Sequence, residues 1–227
     1  MLFKEGNITI SEKYLAEKEK WVNLIKKMFE DIERRNERLG VGRTAEAVLT
    51  NNEACLKIVD KVKVRREHIS LTNQVHQEIE YLEKLNDQEF LKSAGINQQI
   101  APLPILSVEE NGNGFLLMEK ISGSSLQDIL DKKSPDFDAT TVNWEEFFKN
   151  LEEIVNKLNS AGIFHRDLHA GNIMINEDHH PILIDFGSSY ESFYSEDDPY
   201  KEEGLTGTII YKRDTMFLQE IKKDFIY

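Results

Sequence analysis

Cysteine, basic residues and long apolar runs are scarce in this sequence. Cys55 is the only cysteine among 227 residues, so no internal disulfide is available and a reducing compartment suits the chain. A protein exported unfolded would meet the same requirement. Lys and Arg number 28 against 41 Asp and Glu, a formal charge of −13 that leaves no basic face for nucleic-acid phosphates. No apolar run approaches the roughly 20 residues that span a bilayer. The start, Met1-Leu2-Phe3-Lys4-Glu5, lacks the apolar stretch of a secretory signal. With 40% hydrophobic and 30% charged residues, the composition is that of a globular domain rather than a disordered or fibrous chain. The expected setting is cytoplasmic, in the protein's own cell or, for an exported protein, in a host cell.

Periodicity divides what is present into three parts: an N-terminal amphipathic helix in 1–37, a strand-rich region over 38–121 and a helix-rich region over 122–227. The helix is expected over residues 11 to 36. Ser11 is its candidate N-cap, and Tyr14, Leu15, Trp21, Val22, Leu24, Ile25, Met28, Phe29 and Ile32 recur at spacings of three and four. In the second part Ala45 to Thr50 and Ala54 to Val59 flank the turn pair Asn51-Asn52, and a helix is expected from Ser70 to Leu85. Pro104 to Val108 and Phe115 to Ile121 flank Asn111-Gly112-Asn113-Gly114. The third part holds a short helix capped by Ser124 and a long helix from Trp144 that ends near Gly162. Two short strands follow at Ile173 to Ile175 and Ile182 to Ile184, then an acidic loop and a last helix from Asp214.

Four separated clusters suit one chemistry. Gly40-Val41-Gly42-Arg43-Thr44-Ala45 places glycines where backbone N–H groups can approach phosphate oxygens. Lys57 interrupts the apolar strand Cys55-Leu56-Lys57-Ile58. On the next helix Glu78 is positioned to hold it, with Glu80 as the competing carboxylate and a solvated helix face as the plain alternative for both. Then come His165-Arg166-Asp167-Leu168-His169-Ala170-Gly171-Asn172 and, 13 positions after Asn172, Asp185-Phe186-Gly187. His165 and His169 stand four apart without a glutamate after the first or a third ligand, so zinc is disfavoured. Cys55 suits an inert core thiol.

These residues resemble the protein-kinase signature, the H-R-D-x-x-x-x-N loop followed by D-F-G. The resemblance runs from Leu39 to Thr215. It implies an α+β, bilobal fold with a five-stranded antiparallel N-lobe sheet carrying one helix, and a helical C-lobe. It also implies ATP and Mg²⁺ as cofactors. Asp167, Lys57, Glu78 and Arg166 would form the catalytic set, and Asn172 and Asp185 would be the metal ligands. Gly40, Gly42, Arg43, Thr44 and Lys57 would face the phosphates. Met118, Glu119, Ile121 and Met174 would enclose the adenine together with Cys55. Transfer to Ser/Thr hydroxyls of a protein, autophosphorylation included, is the leading activity. A small-molecule kinase and a binding scaffold are the alternatives. A protein substrate or regulatory partner is implied, while the oligomeric state is left open.

The chain also departs from the family pattern. Ala45 replaces the third glycine of the phosphate loop. Leu168-His169-Ala170-Gly171-Asn172 looks like the Leu-His-x-Gly-Asn of bacterial and small-molecule kinases, whereas Arg166 matches protein kinases. Gly207-Thr208-Ile209-Ile210-Tyr211 resembles the end of an activation segment, but Lys212-Arg213-Asp214 stands in place of A-P-E. Asp214 suits the aspartate that opens the next helix and braces the catalytic loop. One helix remains before Tyr227, so the resemblance implies a truncated C-lobe like that of short effector kinases of enteric bacterial pathogens. Two expectations follow: that the N-terminal helix or a partner protein covers part of the apolar surface left by the missing helices, and that an acidic residue between Ser188 and Glu203 pairs with Arg166 in place of a phosphate. Phosphorylation at Ser188, Ser189, Ser192, Ser195 or Thr206 is the competing route to activation.

Overall fold

The computed structural model describes residues 1–32, 38–41, 45–49, 54–59, 71–110, 113–189 and 207–226. The chain forms two units, one of Met1–Lys84 with Pro102–Lys120 and one of Leu85–Ala101 with Ile121–Tyr227.

The first unit is built on antiparallel strands with a helix on each face. The five expected strands are β3 (Arg38–Val41), β4 (Ala45–Leu49), β5 (Ala54–Val59), β6 (Pro104–Glu110) and β7 (Asn113–Glu119). Two more, β1 (Leu2–Glu5) and β2 (Ile8–Ser11), extend the sheet to the order β1-β2-β6-β7-β5-β4-β3. Residues 1–11 thus form a hairpin, and Ile10 lies opposite Leu106. The N-terminal helix is shorter than expected: a 3₁₀ turn over Glu12–Glu17 leads into α1 (Lys18–Ile32). Ser11 ends a strand and its side chain caps nothing.

Alternation along β5 and β7 sorts side chains to two faces. Ala54, Leu56, Phe115 and Leu117 form one buried cluster with Ile10, Leu106, Val108 and, from α1, Trp21 and Ile25. Lys57, Leu116 and Gly114 belong to the other face, where α2 (Leu71–Leu85) packs. A Cβ on Gly114 would lie 2.3 Å from Val75 Cγ2, so only glycine lets α2 come this close. Trp21 and Ile25 of α1 are therefore packed on the first unit's own sheet, at 5% and 4% exposure.

In the second unit α3 (Gln88–Ser93) starts at Asp87, whose carboxylate accepts the Phe90 N–H at 2.8 Å. Strand β8 (Gly123–Ser125) leads into α4 (Leu126–Leu130), capped by Ser125 rather than the expected Ser124. Helix α5 (Trp144–Ser160) buries Phe147, Phe148, Leu151, Ile154, Val155 and Leu158. Strands β9 (Ile173–Asn176) and β10 (Pro181–Leu183) complete a small sheet in the order β10-β9-β8. The last helix, α6 (Gly207–Ile226), begins before Asp214. The stretch 207–211, expected as the end of an activation segment, is helical; no proline interrupts 207–226. Burial of Leu218 and Ile221 anchors α6, and the Phe225 ring lies 4.4 Å from that of Trp144. Among the described residues no helix is long and apolar enough to cross a membrane.

Candidate active site

Each unit assembles its share of the candidate residues. In the first, β5 carries Lys57 and α2 carries Glu78, and the Lys57 Nζ–Glu78 Oε2 distance is 2.5 Å. The two residues are 7% and 1% exposed. A charge this far out of water persists only when paired, so each side chain holds the other ionised and in place. Glu80 is not the partner. It faces solvent and pairs with Lys4 of β1 at 3.1 Å.

Met118 lies across the β5–β7 ladder from Cys55 and is buried. Burial pushes the Cys55 thiol up to about 11, which agrees with an inert core cysteine. At the end of β7 the Glu119 N–H donates to the Leu103 carbonyl at 2.8 Å, and Glu119 Oε2 accepts the Leu103 N–H at 3.1 Å. That double link fixes the strand end before Ile121. Gly40 sits at an irregularity in the β3–β4 pairing. Gly42, Arg43 and Thr44 lie outside the described residues.

The second unit gathers Asp167, Asn172 and Asp185 around a loop clamped from three sides. Asp214 on α6 accepts two consecutive backbone N–H groups, those of His165 and Arg166, each at 3.0 Å. The brace expected of Asp214 is present, although the residue lies within α6 rather than at its start. Arg166, at φ 70°, and Asp185, at φ 64°, both occupy the left-handed region. A non-glycine residue there costs about 1–3 kcal/mol and persists where its surroundings over-determine it.

His165 is the second clamp. Its Nε2–H donates to the Ile184 carbonyl at 2.9 Å, and its ring lies 4.7 Å from that of Phe186. Burial drives the pKa of this imidazole below its usual value, so the ring is a neutral strut. Burial also raises the pKa of the Asp214 carboxyl, with His165 and the two N–H donors pulling the other way. Ser189 Oγ donates to the His165 carbonyl at 3.3 Å. That hydroxyl is fully buried. Phosphorylation at Ser189 is therefore corrected, because no kinase can reach it in this fold. Ser192, Ser195, Thr206 and the acidic residues Glu191, Glu196, Asp197, Asp198, Glu202 and Glu203 lie outside the described residues.

The third clamp acts on Asn172. Its Nδ2 donates to the Asp167 carbonyl at 2.8 Å, and its own carbonyl accepts the Ile184 N–H at 3.0 Å. The loop and the Asp185 turn are thereby one hydrogen-bonded piece. With Nδ2 committed, the amide offers its oxygen to a cation. One amide oxygen and one carboxylate are hard ligands of the kind that hold Mg²⁺ together with phosphate oxygens, so this donor set fits the metal. Met174 on β9 is half-buried and lies opposite Ser125 and Ile182.

His169, disfavoured as a zinc ligand and a departure from the protein-kinase pattern, shapes this loop. Its Nδ1 accepts the Gly171 N–H at 3.0 Å and caps the turn that ends at Asn172. A polar acceptor two residues before a glycine is the signal that would have revealed it.

A buried lysine–glutamate pair on a sheet-and-helix unit, and a braced Asp–Asn–Asp loop on a helical one, are the two arrangements expected of the protein-kinase fold. The protein kinase domain model matches residues 34–212, and the chain belongs to the protein kinase family. It is 26% identical over 159 residues to the hormonally up-regulated neu tumor-associated kinase of Mus musculus, covering 67% of this chain and 20% of that protein. A probable serine/threonine-protein kinase of Dictyostelium discoideum is 32% identical over 124 residues, covering 49% of this chain and 16% of that one. The chain thus spans a fifth or less of the length of these relatives. The crystal structure of WbdD superimposes with a TM-score of 0.52 at 20% identity, over 79% of this chain and 35% of that chain, a likeness of fold alone. The resemblance to short effector kinases rests on the sequence alone.

Proposed function

We propose that the protein transfers the γ-phosphoryl group of ATP to Ser/Thr hydroxyls of a protein, itself included. The observation that carries this reading is the buried Lys57–Glu78 pair, which the family resemblance assigns to contact with the triphosphate. Phosphoryl transfer asks for positioning and charge neutralisation more than for covalent help. Lys57 would meet the α- and β-phosphates, with the glycine turn at Gly40 and Gly42, Arg43 and Thr44 over them. Met118, Glu119, Ile121 and Met174 would enclose the adenine. Asn172 and Asp185 would hold Mg²⁺, which supplies charge neutralisation on the phosphates when bound.

Asp167 would accept the hydrogen bond of the attacking hydroxyl and orient its oxygen. The new bond joins that oxygen to the γ-phosphorus as the bond to the bridging β–γ oxygen breaks. ADP leaves and the hydroxyl proton passes to Asp167 and then to solvent. Arg166 would anchor the segment after Asp185. The serine/threonine assignment draws on the names of the relatives, and the cytoplasm, own or host, is the matching compartment.

A small-molecule kinase is the second reading, favoured by the Leu168-to-Asn172 stretch. γ-Labelled ATP offered with a generic basic protein, with small hydroxylated metabolites, or with neither separates the readings. Label on protein supports the first and label on a metabolite the second. No label on any acceptor contradicts both.

A further inference from the structure

The turn that carries Asn172 is held by an unusual cap. His169 has extended backbone (φ −145°, ψ 170°) and precedes a single 3₁₀ turn over Ala170–Asn172. The turn's own 3₁₀ bond runs from Asn172 N–H to the His169 carbonyl at 2.9 Å, and the orphan Gly171 N–H ends on the His169 Nδ1 at 3.0 Å. Caps of this kind are ordinarily Ser, Thr, Asp or Asn, whose short side chains reach the turn easily. Imidazole is bulkier and needs room, and the room is at Gly171. A Cβ there would stand 2.9 Å from His169 Cε1 and 3.0 Å from His169 Nδ1. The histidine and the glycine therefore depend on each other.

We infer that His169, seated against Gly171, is a positioning residue that aims Asn172 at the nucleotide-bound metal. The inference rests on the reading of Asn172 as a metal ligand and extends it to a pair of residues outside the ligand set. Asn172 is 6% exposed and its amide is anchored at Nδ2 by the Asp167 carbonyl. The Ile184 N–H holds its carbonyl, and the His169 cap holds the N-terminal side of the turn that carries it. Loss of the cap lowers the fraction of molecules with the Asn172 oxygen in place, which weakens metal binding and leaves contacts to the rest of the nucleotide intact.

The test uses the full chain with manganese(II) and a non-hydrolysable ATP analogue, by calorimetry, and compares unfolding temperatures in the same buffers. His169→Ala is expected to need about fivefold more Mn²⁺ to reach half-saturation, the scale of a lost cap. Its affinity for the analogue without metal stays at the wild-type value, and its unfolding temperature falls by only a few degrees, the scale of one lost cap. His169→Asn, a short acceptor at the same place, restores Mn²⁺ binding. Gly171→Ala weakens it in the wild-type background but not in a His169→Ser background, where no ring remains to be displaced.

Wild-type Mn²⁺ binding in His169→Ala overturns the inference. So does His169→Asn behaving as His169→Ala, or Gly171→Ala costing the same in both backgrounds. A wild-type protein that binds the analogue without any response to Mn²⁺ overturns the reading of the site itself, and the role of His169 falls with it.

Discussion

The two units secure their functional residues by opposite means. In the first, a buried ion pair is the central contact: Lys57 on β5 and Glu78 on α2 are withdrawn from water and lie 2.5 Å apart. In the second, many modest hydrogen bonds share the task, from Asp214, His165, Ser189, Asn172 and His169, and most of them end on backbone. A buried ion pair is brittle, since removing either partner leaves the other charge poorly compensated away from water. A distributed clamp fails gradually, because each bond is worth about 0.5–1.5 kcal/mol net.

Glu78→Ala should be the most damaging test of this contrast. It removes the carboxylate beside the buried Lys57 ammonium, and urea unfolding is expected to show a loss of about 3–5 kcal/mol together with loss of phosphotransfer. Adding Lys57→Met to that variant removes the remaining buried charge. It is expected to recover most of the stability and none of the activity, which separates the fold from the chemistry.

Asp214→Ala comes next. Two buried N–H groups lose their acceptor, at about 1–3 kcal/mol each, partly offset by relaxation of Arg166 out of its left-handed conformation. Equilibrium unfolding should show a net cost of about 2–3 kcal/mol, smaller than that of Glu78→Ala. An equal or larger loss would mean that the second unit also depends on one central contact.

The acid limb of stability is expected to be smaller again. His165 is held neutral by burial, so its folded pKa lies below the ordinary 6.5. As pH falls below 6.5 the unfolded chain takes up a proton that the native ring refuses, and stability declines by at most about 1.4 kcal/mol per pH unit. Asp214 works the other way: its raised carboxyl pKa favours the native state as pH falls through that pKa. Denaturation curves between pH 7.5 and 5.5 should show the His165 slope, and His165→Leu should flatten it. The least effect concerns Cys55: with its thiol pushed up to about 11, alkylation at pH 8 should run about two orders of magnitude slower in the native protein than after unfolding.

The same contrast governs how much the sequence disclosed. Asp167, Asn172 and Asp185 were legible because a loop clamped by its own backbone needs fixed spacing. Lys57 stood out as a charge inside an apolar strand. Choosing Glu78 over Glu80 required the orientation of α2, as two residues on a helix diverge by about 200° and no spacing rule in a single chain settles which one turns inward. The β1–β2 hairpin was missed although Leu2 to Glu5 and Ile8 to Ser11 flank Gly6-Asn7, a legible turn pair. The helical period that begins at Tyr14 drew the boundary too far forward. Asp214 was correctly assigned to the catalytic loop, but the helix around it starts at Gly207 because nothing in 207–213 forbids continuation.

The most direct test of the account compares transfer of label from γ-labelled ATP by the wild type and by Asp167→Ala, in chains shown to unfold at the same temperature. The wild type is expected to label protein. In Asp167→Ala, transfer should fall by about three orders of magnitude or more, the scale at which a component of the phosphoryl-transfer machinery is lost. Wild-type turnover in Asp167→Ala would contradict the account.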